Sequence, residues 1–244
     1  MSLLLQNSNN MERIKQNIPN FITCLNLAAG CLSIVAAFKG VEPLWGLKGF
    51  QWGFIFIAMG ALADFLDGFA ARLLHAYSNL GKELDSLSDL VTFGVAPALI
   101  MFSVLQDFGA VPWLQWTVFL IPICGAVRLA RFNIDTRQAT TFIGMPIPAN
   151  AIFWIGYASL VYSGTQFMAE WYWALLAIIV ESYLMISPLR LFSLKFKTWG
   201  WRGNQWRWLL VMTAAVLVFC MGVPGLMWLI IAYVLYGIFA GADS

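Results

Sequence analysis

Four aspartates, one arginine and two glycines recur in a fixed rhythm between residues 64 and 89, D-x2-D-G-x2-A-R-x8-G-x3-D-x3-D. The positions are Asp64, Asp67, Gly68, Ala71, Arg72, Gly81, Asp85 and Asp89. Carboxylates offer hard oxygen ligands, which suit Mg2+ or Mn2+ rather than zinc or copper. A set of this size suffices for a two-metal site that clamps a phosphoryl group. Arg72 adds a planar fork matched to phosphate oxygens. Gly68 and Ala71 leave almost no side-chain bulk beside these groups, so the pattern predicts a diphosphate site.

Two helices must position the cluster. Asp64 and Asp67 are three apart and share a helix face, which Gly68, Ala71 and Arg72 continue at i+4, i+7 and i+8 from Asp64. Gly81, Asp85 and Asp89 repeat the spacing at i, i+4 and i+8 on a second helix. Residues 73–80 are enough to turn the chain between them. Each helix then presents a pair of carboxylates across a glycine-lined gap. A packing network of Asp with Arg, without cations, would keep three negative charges unbalanced near hydrocarbon, where such charges are costly.

Composition sets the surroundings. Of 244 residues, 61% are apolar and 11% charged, which excludes an ordinary soluble domain. Residues 90–106, 108–127, 138–169 and 208–242 carry no charge, and a bilayer span needs about 20 apolar residues. The expected fold is an all-α polytopic membrane protein of about eight transmembrane helices, near 18–38, 50–74, 84–106, 112–132, 147–163, 170–187, 207–222 and 224–241. Gly222-Val223-Pro224-Gly225 splits the last apolar run.

With an internal N-terminus, twelve of the fourteen Lys and Arg fall on one side, leaving Lys39 and Lys48 on the other. That asymmetry predicts both termini and the acidic cluster on the cytoplasmic side of the inner membrane. The expected organisation is one integral-membrane domain, 1–244. It comprises a cytoplasmic segment 1–17, a six-helix catalytic core 18–188, a basic-aromatic loop 189–206 suited to anionic headgroups or simple interfacial anchoring, and two additional helices 207–244. The polar stretch 6–16 argues against a cleavable signal peptide. Cys24, Cys31, Cys124 and Cys220 are scattered in apolar spans and suit packing, with neither zinc nor disulfide spacing. No nucleic-acid partner is expected.

The motif from Asp64 to Asp89 resembles the complete signature of the CDP-alcohol phosphotransferases, which move a phosphoryl-linked group from a CDP-activated donor to an alcohol and release CMP. The resemblance implies that Asp64, Asp67, Asp85 and Asp89 hold two divalent cations, Mg2+ or Mn2+, and that Asp89 accepts the proton of the attacking hydroxyl. It implies that Gly68, Arg72, Gly81 and Ser78 bind the CDP portion. Pro19-Asn20-Phe21-Ile22-Thr23 is similar to the P-N-x-x-T segment placed beside the nucleotide, which adds Asn20 and Thr23, although helix capping also fits that string.

Further elements bear on the acceptor. Arg128-Leu129-Ala130-Arg131-Phe132-Asn133 and the stretch from Phe142 to Ala149, F-I-G-M-P-I-P-A, are similar to R-x-x-R-F-N and F-x-G-x-P-x-P-A elements of bacterial and archaeal phosphatidylserine synthases. The resemblance spans about residues 19–194 and implies CDP-diacylglycerol and L-serine as substrates, membrane lipid as surroundings and a homodimer. Arg128, Arg131 and Asn133 could hold the carboxylate of serine or the lipid phosphate, while positive-inside anchoring explains either arginine equally well. Glu181, mid-span, stands outside the expected site, and His75 is expected at the surface.

Other acceptors, namely glycerol 3-phosphate, inositol phosphate or choline, are compatible with the same signature, as is an ether-lipid donor. A Mg2+-dependent membrane prenyltransferase would be expected to carry a second Asp-rich motif after Asp89, which this chain lacks. An ion-coupled transporter would leave the fixed Gly and Ala-Arg positions without a purpose.

Overall fold

The computed structural model describes residues 2–134, 142–165, 168, 170–192, 200–201 and 203–242, with backbone alone at 2–16, 142, 241 and 242. Arg137, Lys195, Lys197 and Arg202, and with them most of the expected basic-aromatic loop, lie outside the described residues. The fold is all-α and polytopic. The helices are α1 (Ser2–Ala37), α2 (Gly49–Leu73), α3 (Asn79–Asp107), α4 (Pro112–Ile134), α5 (Ile147–Tyr162), α6 (Trp171–Ile186), α7 (Gln205–Met221) and α8 (Gly225–Ala242). They match the eight expected spans one for one. In α1 the segment Asn17–Ala37, and α2, α3 and α4 entire, are long and apolar enough to cross a bilayer. Helices α5 to α8 are equally apolar but only 16, 16, 17 and 18 residues long.

Two ends depart from expectation, each for a local reason. Helix α1 begins far upstream of residue 18, so the polar stretch before the membrane is helical as well. Helix α3 begins at Asn79 rather than residue 84, because the Ser78 side chain caps it by accepting from the Gly81 N–H at 2.9 Å.

Residues 1–96 form the first compact unit. Helices α1 and α2 are joined by a small hairpin in which β1 (Pro43–Leu44) pairs antiparallel with β2 (Leu47–Lys48). Trp45 and Gly46, at φ 46° and 87°, supply the two left-handed residues that a tight two-residue hairpin turn requires. The Trp52 indole N–H donates to the Leu44 carbonyl at 2.6 Å and ties the hairpin to α2.

Small residues let α1, α2 and α3 approach at backbone distance. A Cβ on Gly60 of α2 would stand 2.5 Å from Thr92 Cγ2 and 2.9 Å from Asn26 Oδ1. A Cβ on Gly30 of α1 would likewise collide with Thr92. Hydroxyls stitch the same faces together: Thr92 Oγ1 donates to the Asn26 carbonyl at 2.9 Å, Ser88 Oγ to the Thr23 carbonyl at 3.2 Å, and Ser33 Oγ to the Gly53 carbonyl at 2.9 Å. Between Leu90 and Val95, α3 widens into a π turn, and the Ala96 N–H reaches back to the Val91 carbonyl. Pro97 follows and has no N–H to give Phe93, so the wider turn re-pairs the ladder where an α turn would lose a donor.

Residues 97–244 form the second unit. Its core is the fully buried stripe Trp154, Tyr157, Ala158 and Val161 of α5, together with Leu114, Val118 and Ile121 of α4. Asn150 is buried within this core, where its Oδ1 accepts from the Trp154 indole at 2.8 Å. Helix α4 is interrupted at Val118–Phe119, where Pro122 removes the donor that Val118 would otherwise receive and the Ile121 N–H serves it instead at 3.0 Å. Strand β3 (Phe142–Ile143) pairs with β4 (Arg190–Leu191), and Gly144, at φ 75°, turns the chain against the Met185 carbonyl, which a Cβ would strike at 2.4 Å.

Helices α5 and α8 meet at Gly156, whose Cβ would stand 2.2 Å from the Met227 backbone nitrogen. Gly156→Ala is therefore expected to destabilise the protein by about 1–3 kcal/mol, the usual cost of overpacking, while Gly200→Ala, with nothing among the described residues within 4 Å, is neutral. Thermal unfolding of the two variants in detergent checks this.

Candidate active site

The first unit brings the acidic motif together at the facing ends of α2 and α3. Asp64, Asp67 and Asp85 each place a carboxylate oxygen within 4.8 Å of the others. At that separation each like-charged pair repels by roughly 3–4 kcal/mol at an effective dielectric of about 20. One neutral donor answers part of this: the Thr23 hydroxyl donates to Asp67 Oδ2 at 2.6 Å, with the Pro19 carbonyl at 3.0 Å as its alternative acceptor. Asp85 Oδ1 is buried with no hydrogen-bond partner among the described residues. Three converging oxygen ligands, one of them orphaned, fit a hard divalent cation, and no nitrogen or sulfur ligand joins them in the group.

Asp89 sits one turn beyond Asp85 and is held separately. The Asn26 amide donates to Asp89 Oδ1 at 3.3 Å from a position with 0% exposure. The opposite amide atom, Asn26 Oδ1, is buried without a partner among the described residues, a cost of about 1–3 kcal/mol. The motif's two halves thus have different supports: Thr23 from α1 steadies the Asp67 side, and Asn26, two turns from Asn20 on the same helix, steadies Asp89.

Beside the carboxylates lies a cleft of about 220 Å3. Asn20, Thr23, Gly68, Ser78 and Gly81, five of the six residues expected to contact CDP, line it with Asp67 and Asp85. The sixth, Arg72, is exposed and reaches the rim, its Nη1 3.6 Å from where a Gly68 Cβ would stand. A Cβ on Gly81 would come 2.9 Å from Asn20 Oδ1 and 3.0 Å from Ser78 Oγ, so glycine is what lets the start of α3 close on α1. Ser78 Oγ accepts the Gly81 N–H and keeps its own proton free to donate.

Arg128, Arg131 and Asn133 lie at the C-terminal end of α4, in the second unit. Arg128 is buried at 8% exposure, with its guanidinium 5.8 Å from the Phe132 ring centre. Arg131 donates from Nη1 to the Ile186 carbonyl at 3.1 Å, at the end of α6 where helix carbonyls lack partners. The Gly144 turn docks on that same end: Gly144 N–H donates to Leu189 at 2.8 Å, and Met145 N–H to Leu184 at 3.0 Å. Glu181 is buried in α6 with Oε2 unpaired among the described residues, and His75 is exposed in the turn after α2.

Sequence reasoning missed Asn26, Ser88 and Thr92, which brace the aspartates, and Lys82 and Tyr77, which line the cleft. A signal for the first existed: Asn20, Thr23, Asn26 and Gly30 form a polar or small stripe at helical spacing on an otherwise apolar helix. Lys82 adjoins Gly81 on the first turn of α3, where proximity alone could have suggested it.

Asp85→Asn removes a charge from the orphaned position and is expected to weaken Mn2+ binding by about 10–100-fold, the range seen when ligand support is lost. Titration followed by manganese electron paramagnetic resonance measures this, and unchanged affinity would remove Asp85 from the cation site.

Comparison with known proteins agrees with this geometry. The family model described as CDP-alcohol phosphatidyltransferase matches residues 16–183. A Mycobacterium leprae protein named CDP-diacylglycerol–serine O-phosphatidyltransferase is 39% identical over 164 residues, 64% of this chain and 50% of its own length. Proteins of the same name from Bacillus subtilis and Methanocaldococcus jannaschii are 42% identical over 135 residues and 34% identical over 173 residues. Those matches cover 54% and 71% of this chain, and 69% and 72% of the relatives. The chain thus spans about half the length of the mycobacterial relative and about seven tenths of the other two. With a family model covering more than half of its residues, including every aspartate of the cluster, the chain belongs to the CDP-alcohol phosphatidyltransferase family.

Proposed function

We propose that this protein transfers the phosphatidyl group of CDP-diacylglycerol to the hydroxyl of L-serine, giving phosphatidylserine and CMP. The observation that carries the reading is the carboxylate group of Asp64, Asp67 and Asp85 beside a glycine-lined cleft, in a chain whose relatives bear the name of that activity. Two divalent cations, Mg2+ or Mn2+, held by Asp64, Asp67, Asp85 and Asp89, would screen the diphosphate and make its phosphorus more electrophilic.

The chain's own groups do the rest. Asn20, Thr23, Gly68, Ser78 and Gly81 receive the CDP portion, and Arg72 meets diphosphate oxygens from the rim. Asp89 takes the proton of the serine hydroxyl as its oxygen attacks the lipid-side phosphorus. The bond from that phosphorus to the bridging oxygen breaks, and CMP leaves with the electron pair. An alcohol is a weak nucleophile at neutral pH, so a base held in place is required. Arg131 and Arg128, with Asn133, hold the carboxylate of serine or the lipid phosphate. The charge asymmetry favours an inner-membrane protein with its termini and this site facing the cytoplasm, and glycine- and alanine-bearing spans favour a homodimer.

The experiment is CMP release by purified protein given CDP-diacylglycerol and labelled serine, with glycerol 3-phosphate, inositol phosphate and choline in parallel. Serine is expected to be the acceptor, and faster release with another alcohol would replace it. In the same assay Asp89→Asn is expected to lower turnover by at least about 100-fold while sparing CDP-lipid binding, and full activity would unseat the base. Arg131→Ala is expected to raise the serine KM about tenfold or more with kcat less affected, and unchanged serine kinetics would exclude it from the acceptor site.

A further inference from the structure

We infer that Asn26 is a positioning residue that aims the Asp89 carboxylate. The inference rests on Asp89 as the proton acceptor of the proposed reaction. Among the described residues, Asn26 is the hydrogen-bond donor to the Asp89 side chain. Its side chain is fully buried. Gly60 clears the slot in which Oδ1 sits, since a Cβ there would approach to 2.9 Å. The backbone from which the side chain projects is fixed by Thr92, whose hydroxyl donates to the Asn26 carbonyl at 2.9 Å. Gly30 brings the same threonine against α1.

The direction of the amide follows from its neighbours. Turned over, it would set its oxygen against a carboxylate oxygen at the 3.3 Å now spanned by a hydrogen bond, and its NH2 against Gly60, which offers no acceptor side chain. The observed direction therefore serves Asp89 and leaves Oδ1 with no donor among the described residues. A leucine has nearly the same shape and no polar atom to strand. In that place, however, it would strand the Asp89 oxygen instead of Asn26 Oδ1, so stability gives leucine no advantage and the amide answers a demand set by Asp89. That demand is the orientation of a carboxylate that must meet a hydroxyl within hydrogen-bond reach.

The test is Asn26→Leu in purified protein, compared with wild type by CMP release from CDP-diacylglycerol and serine. The expected result is a kcat about 10–100-fold lower, as for a misaimed reacting group, with both KM values within about twofold of wild type. Because Asp89 is also placed among the cation ligands, Mn2+ affinity by electron paramagnetic resonance is expected to fall by no more than about 10–100-fold, with the melting temperature within a few degrees of wild type. The carboxylate stretch assigned to Asp89, isolated by infrared difference against Asp89→Asn, is expected to shift without any substrate present. Wild-type kcat, an unshifted Asp89 band, or a fall in melting temperature that tracks the loss of activity would each overturn the inference. If Asn26→Leu does not fold, Asn26→Ala carries the same comparison of kcat against KM and the same infrared readout. A wild-type protein inert toward serine would sink the proposed reaction, while the infrared comparison would still decide the role of Asn26.

Discussion

Mutual repulsion among carboxylates is the constraint around which the first unit is arranged. Three of them converge within 4.8 Å at the ends of two helices, where each unscreened pair is costly. The fold answers with neutral donors from a third helix, the Thr23 hydroxyl and the Asn26 amide, and leaves Asp85 Oδ1 with no partner among the described residues. Helix α1 is thus as much a part of the acidic motif as α2 and α3, although it contributes no acid of its own to the cluster.

Holding those donors at hydrogen-bond distance demands that three helices touch nearly backbone to backbone. Gly30, Gly60 and Gly81 each sit where a single added carbon would collide with a neighbouring helix. Ser88 and Thr92 then bind main-chain carbonyls of α1, so the close approach is locked by directed bonds as well as by dispersion. The π turn of α3 falls in the stretch that carries Thr92, next to Asp89. Insertions of this kind concentrate at functional sites because they redirect side chains without ending the helix.

How much of this was legible depended on whether the signal was local. Span number followed from the charge-free runs and the Gly222–Gly225 break, and the acidic motif announced itself by spacing alone. Helix ends were less accessible. The start of α3 turned on one serine accepting one N–H, and the interruption of α4 on a proline three residues downstream. Asn26 escaped notice because its role exists only across helices, at a separation of 63 residues from Asp89. Arg128 and Arg131 were visible as cations, but no pattern could state that Arg131 would bind the last turn of α6.

Helices α5 to α8 differ from the rest in reach. Sixteen to eighteen residues rise only about 24–27 Å, against a hydrocarbon core of about 30 Å. Tilting would shorten them further, so the mismatch is relieved by the lipid leaflets dimpling toward them or by flanking aromatics reaching outward. Trp171, Tyr172 and Trp173, exposed at the head of α6, are placed for the second role. Around α5 to α8, unlike α4, the bilayer is therefore expected to thin locally, which lowers the climb that a headgroup makes to reach the protein there.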